Sequence, residues 1–107
     1  MSLDVYLTAM RPSEVYTANC THNLTGMAEE AGIYKHLWRP EEIGVHTAEQ
    51  LIEPLREGLR LLETDEARFR PFDAPNGWGK YEHFVEFVRG YLAACEAYPN
   101  ATISIWR

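Results

Sequence analysis

Apolar residues recur at every second position near both ends of this chain, and at every third or fourth position through its middle. That change of period predicts an α+β protein. Leu3, Val5 and Leu7 alternate with Asp4, Tyr6 and Thr8, the rhythm of a strand with one buried face, so a strand is predicted over about 3–8. The β-prone run Val15, Tyr16 and Thr17 predicts a second strand over about 14–20. Arg11-Pro12-Ser13 supplies a turn signal between the two and makes them a hairpin. Ile103 and Ile105 alternate with polar neighbours and predict a third strand over about 101–106 in the same small, mainly antiparallel sheet.

Helical spacing fills the rest. Leu24, Met27, Ala28 and Ala31 share one face of a helix predicted over about 22–31. Gly32 follows where a left-handed residue is wanted, and Ile33 is placed to fold back on the last turn. Tyr34 to Trp38 forms one further turn, stopped by Pro40. Thr47 and Gln50 read as the two ends of a capping box opening a helix over about 47–62, in which Pro54 is expected to kink or restart the chain. A short turn is expected around Asp65 to Phe69. The strongest pattern begins at Lys80: Tyr81, Phe84, Val85, Val88, Tyr91, Leu92 and Cys95 form one stripe of a helix over about 80–97, with His83 on the opposite, solvated side. A three-stranded sheet is marginal alone in water, so these helices must cover its apolar face. The expected product is one compact domain spanning 1–107.

Composition agrees with that reading. Of 107 residues, 46% are hydrophobic and 24% charged, as in globular chains that build a core without metal or disulfides. A formal charge of −6, with the basic residues dispersed, disfavours nucleic-acid phosphates and anionic membranes as partners. No run is long enough to span a bilayer, and no export signal opens the sequence, so a cytoplasmic location is expected. Cys20 and Cys95 are then reduced thiols.

Candidate chemistry is sparse. The serines sit in no nucleophile elbow, and Glu29-Glu30 and Glu41-Glu42 are adjacent, so their carboxylates diverge. Cys20 and His22 share a face of an extended backbone, but no third metal ligand stands at a recognised spacing. No catalytic residue, metal ligand or cofactor is assigned. Thr21 or Asn23 is expected to cap the helix that follows, although His22 beside such exposed amides would also suit an anion. Asn76-Gly77-Trp78-Gly79-Lys80 is the most suggestive segment. Its glycines let the backbone approach a ligand, and Lys80 opens a long helix where an anion would offset the unfavourable cation. The plainer reading is a tight turn with Trp78 plugged into the core. Trp38-Arg39 is either a stacked pair with Arg39 tied to Glu41 or Glu42, or part of a pocket shared with Trp78 and His22.

The stretches Thr21-His22-Asn23-Leu24, Leu37-Trp38-Arg39-Pro40-Glu41-Glu42, Asn76-Gly77-Trp78-Gly79 and Tyr91-Leu92-Ala93-Ala94-Cys95 resemble small hypothetical proteins of bacteria and their phages. The likeness covers most of the chain. It implies a bacterial or prophage source and carries over no activity and no functional residue.

Two functions follow as expectations. The first is a non-enzymatic binding or accessory module that works through protein–protein contacts, with a homodimer among its forms, because aromatic residues (12% here) are what interface hot spots use. The second is an anion- or nucleotide-type ligand site, or an enzyme pocket, lined by His22, Asn23, Trp38, Arg39, Asn76, Gly77, Trp78, Gly79 and Lys80. The second requires the 21–23, 38–39 and 76–80 segments to meet in space.

Overall fold

The computed structural model describes residues 1–9 and 13–107. Arg11 and Pro12 of the turn signal lie outside the described residues. The chain folds as α+β, with a three-stranded antiparallel sheet in the order β2-β1-β3. Strands β1 (Ser2–Ala9) and β3 (Thr102–Trp106) fall where the alternating patterns predict them, and β2 (Ser13–Thr21) where the β-prone run does. Helices α1 (Thr25–Glu30), α2 (Tyr34–Trp38), α3 (Glu49–Thr64), α4 (Glu66–Phe69) and α5 (Tyr81–Ala97) occupy the helical patterns.

β1 is central, and among the described residues it alone of the three strands buries three alternating apolar residues. Leu3, Val5 and Leu7 have no exposed surface. Opposite them on one face stand Cys20, Ala18 and Tyr16 of β2, and Ile105 and Ile103 of β3. The other face carries Asp4, Tyr6, Thr17, Asn19, Ser104 and Trp106, and the helices leave it open. A register shift at Leu7/Thr8 adds one residue to β2.

α5 packs on both β2 and α3. Its buried stripe is wider than the periodicity indicates, since Phe87 and Ala94 are buried along with Phe84, Val88 and Tyr91. The ring of Tyr91 stacks on Tyr16 of β2, centroids 6.0 Å apart. The hydroxyl of Tyr81 donates to the Leu62 carbonyl at 2.6 Å and fastens α5 to the end of α3.

Local signals explain the helix boundaries. Thr21 caps the 3₁₀ turn at His22–Leu24, its Oγ1 accepting the Asn23 N–H at 3.3 Å. After α1, Gly32 takes φ +77°, which a side chain would oppose. The N–H of Gly32 bonds to Glu29 O and that of Ile33 to Ala28 O, both at 3.0 Å, forming a Schellman end. Ile33 is thereby turned inward against Gly58, where an added Cβ would meet its Cγ2 at 2.8 Å.

Two boundary expectations need correction. Of the two outcomes expected at Pro54, a kink or a restart, α3 shows no restart and runs through Pro54 as one segment. Its N-cap is Ala48, and only half of the capping box forms. Gln50 Oε1 accepts the N–H groups of His46 (2.7 Å) and Thr47 (3.1 Å), whereas the Gln50 N–H bonds to the Thr47 carbonyl at 3.1 Å and not to its hydroxyl.

Candidate functional site

Four sequence-distant pieces gather at the end of the sheet where β1 begins and β2 and β3 finish. Pairing places Ser2 beside Thr21, and Asp4 between Asn19 and Trp106. Asn19 Nδ2 donates to Ser2 Oγ at 2.9 Å and to Asp4 Oδ1 at 2.7 Å, closing the open face with a polar cluster. From there the chain turns into the 22–24 segment, and its side chains reach outward to one loop and one helix.

The first contact is with the 76–80 loop. Asn23 Nδ2 donates to the Trp78 carbonyl at 2.8 Å across 55 residues of sequence. Asn76 Oδ1 accepts the Trp78 N–H at 2.9 Å, an Asx turn that sets the loop's curvature. Gly77 and Gly79 have φ +79° and +112°, so the loop needs glycine at both. Gly79 is also pressed against the neighbouring segment: an added Cβ would lie 2.9 Å from Thr21 Cγ2 and 3.3 Å from Asn23 Cβ.

The second contact is with α2. The rings of His22 and Trp38 meet edge-on with centroids 6.2 Å apart, and Trp38 stacks on Tyr34 at 5.7 Å. Trp38 is buried, and its Nε1 and the Nε2 of His22 have no hydrogen-bond partner among the described residues. The Trp38 carbonyl accepts Arg107 Nη1 at 3.0 Å, which ties the end of the chain to the same region.

Of the nine candidate residues, Gly77, Trp78 and Gly79 line a cleft between these segments, while His22, Asn23, Trp38, Asn76 and Lys80 stand outside its lining and Arg39 makes neither contact. Its Nε donates to Tyr34 Oη and its Nη1 to Glu42, both at 3.2 Å, the local pairing its acidic neighbours suggest. Trp78 departs from the core-plug reading. It is 74% exposed as a residue and stands out from the loop. Lys80 precedes α5 as its N-cap, and its N–H donates to Nδ1 of His83 at 3.2 Å. The next amide, of Tyr81, is already taken by the Asp73 carboxylate at 2.7 Å. An anion at this helix end would therefore compete with a resident carboxylate.

Between the end of β2, the 77–79 loop and the first turns of α5 lies a half-open cleft of about 190 Å³. Leu24, Cys20 and Phe87 supply its apolar surface, and Asn19, Thr21 and His83 its polar surface. His83 and Phe87 were not legible as site residues. One appeared as a solvated helix position, and the other did not enter the apolar stripe. The available signal was their i, i+4 spacing just after the glycine loop, which puts both on the side of α5 that faces it.

The cleft carries no activated nucleophile. Burial pushes the Cys20 thiol up to about 12, so it stays protonated at neutral pH, and Cys95 is raised likewise, chiefly by burial. Both are free cysteines. Among the described residues no cluster of three His, Cys, Asp or Glu is placed to hold a metal ion. None of the described helices is long and apolar enough to cross a membrane.

The loop is held from behind by Arg70. Its guanidinium lies 4.8 Å over the Tyr81 ring and donates both Nη atoms to the Glu82 carboxylate at 2.8 Å. It also bonds Glu66 at 2.9 Å and Asp73 at 3.2 Å. The hydrogen bonds from Arg70 hold the Glu82 carboxyl at about 2, below its ordinary 4.5. A carboxyl depressed in the folded state stabilises the fold above its unfolded pKa, and that contribution is lost as the pH falls through the folded value. Thermal midpoints measured against pH are expected to place the parent above Glu82→Gln at neutral pH. The gap should close between about pH 4.5 and 2, and one that persisted unchanged at pH 2 would mean the pair contributes nothing through charge.

No protein-family model matches this chain, and neither a curated protein nor a solved structure does.

Proposed function

We propose that the protein is a non-enzymatic binding module that works through protein–protein contacts at this end of the sheet. The observation that carries the reading is the pairing of a cleft of about 190 Å³ with a tryptophan that is 74% exposed. Pockets for whole small-molecule ligands run to about 300–1,000 Å³, and a cavity of about 150 Å³ holds one benzene ring. A space of this size suits one apolar side chain of a partner. An exposed Trp beside such a pocket is a favoured hot-spot arrangement, because burying it gains a large area at little entropic cost. The protonated Cys20 thiol supports a role without covalent chemistry. Two free, buried thiols suit a reducing compartment, in keeping with work in the cytoplasm.

The second reading, a small-ligand or enzyme pocket, draws support from the meeting of the 21–23 and 76–79 segments through the Asn23–Trp78 bond. A thermal-shift screen against nucleotides, phosphates, small metabolites and divalent metals separates the two. A specific ligand at 100 times its Kd raises stability by about 2.7 kcal/mol. The protein-contact reading expects no compound to do so. A saturable shift that Trp78→Ala or His83→Ala abolishes would replace it with the pocket reading.

A further inference from the structure

The fold treats the two edges of its sheet differently. The outer side of β3 meets the 46–48 segment: the Ile103 N–H donates to His46 O at 3.0 Å, and Thr47 bridges Thr102. Among the described residues β2 pairs only with β1. Among the described residues, no backbone group from Glu14 to Cys20 bonds to any other element. A row of unpaired N–H and C=O groups is a template for another strand unless charge, proline, a bulge or a cover protects it. β2 is nine residues long, contains no proline, and has Glu14 as its only charged residue. Its bulge falls at Leu7/Thr8, beside Glu14 and Tyr16, so it distorts the start of the strand and leaves Tyr16–Cys20 in regular register.

We propose that a second copy of the chain occupies this edge, β2 pairing antiparallel with its counterpart about a two-fold axis at Ala18 to make one six-stranded sheet. This rests on the reading of the protein as a protein-contact module and adds a second contact surface to the cleft beside Trp78. Residues opposite one another in adjacent strands point to the same face. A two-fold axis normal to the sheet must therefore pass through a residue, not between two. About Ala18, Tyr16 faces Cys20 of the second copy and Ala18 faces Ala18 on the helix-covered side, while Thr17 faces Asn19 on the open side. The stretch is self-complementary, apolar with apolar and polar with polar. It also offers two chains of formal charge −6 a line of contact where no like charges meet. The pairing brings the start of the neighbour's β2 beside the cleft at Asn19–Thr21.

Sedimentation equilibrium over a range of protein concentrations tests the inference. The parent is expected to pass from 12.3 kDa towards twice that mass as concentration rises. Thr17→Lys with Asn19→Lys sets two Lys–Lys pairs across the axis and should remain at 12.3 kDa, while Thr17→Asp with Asn19→Lys sets opposite charges together and should restore association. Circular dichroism checks that all three are folded. A parent that stays monomeric throughout, or a folded double-lysine variant that associates as well as the parent, overturns the second-copy inference. Neither result bears on whether the cleft beside Trp78 takes a side chain from another protein, which the ligand screen and peptide titrations decide.

Discussion

Phe84→Ala is expected to lower stability by about 3–5 kcal/mol, and Val88→Asp by at least as much, in chemical denaturation followed by circular dichroism. Both side chains are completely buried in α5, between β2 and α3. Removing a buried ring forfeits its transfer free energy and leaves a cavity that the packed neighbours close only in part. A carboxylate at 88 would have to be desolvated among apolar side chains with no partner. Against a typical total of about 5–15 kcal/mol, either change leaves a marginal or unfolded protein. His83→Ala, one residue from Phe84 but exposed, loses only the bond from the Lys80 N–H and is expected to cost about 0.5–1 kcal/mol. A His83 effect equal to that of Phe84 would mean that the buried face of α5 is wrongly assigned.

The second large effect is expected at the loop. Gly79→Ala should cost about 2–4 kcal/mol, from a φ of +112° that an L-side chain resists and from a Cβ only 2.9 Å from Thr21 Cγ2. The obstacle is the methyl group of a short side chain, which cannot swing aside as the far end of a long one would. The loop must therefore retreat from Thr21, stretching the Asn23–Trp78 bond and opening the cleft. Gly77→Ala shares the positive φ but has nothing within 4 Å of an added Cβ, so it should show backbone strain alone. Equal losses at the two glycines, measured by the same denaturation, would show that the packing against Thr21 contributes nothing.

The elements were legible because each rests on local chemistry. Alternation at Leu3, Val5 and Leu7 sets β1, and the stripe from Tyr81 to Cys95 sets α5, within a residue or two of the observed ends. Gly32 and Ile33 form the left-handed helix end that their order predicts. At Pro54 the local signal left a kink and a restart open, and α3 continues past it; the spacing of Leu51, Leu55 and Leu62, all buried, prevails over the lost hydrogen bond. The site was legible only in part. Asn23 and Trp78 were singled out for separate local reasons, yet the bond that joins them spans 55 residues, and no periodicity carries that information. Trp78 in the glycine loop and Trp38 at the end of α2 are the same residue type, but one is exposed and the other is covered by Tyr34 and His22. Burial of a loop residue depends on which distant element arrives to cover it, and that is a tertiary property.

The most direct test of the protein-contact reading is an amide and indole NMR titration that follows Asn19, Thr21, Gly79, His83, Phe87 and the Trp78 side chain. Two panels are compared: blocked extended pentapeptides with a single central Leu, Val or Phe, and a set of nucleotides, phosphates and small metabolites. The account predicts that the apolar-centred peptides shift these signals saturably, that a central Asp abolishes the effect, and that the second panel leaves them in place. Saturable shifts from a nucleotide or metabolite, with none from any peptide, would contradict it.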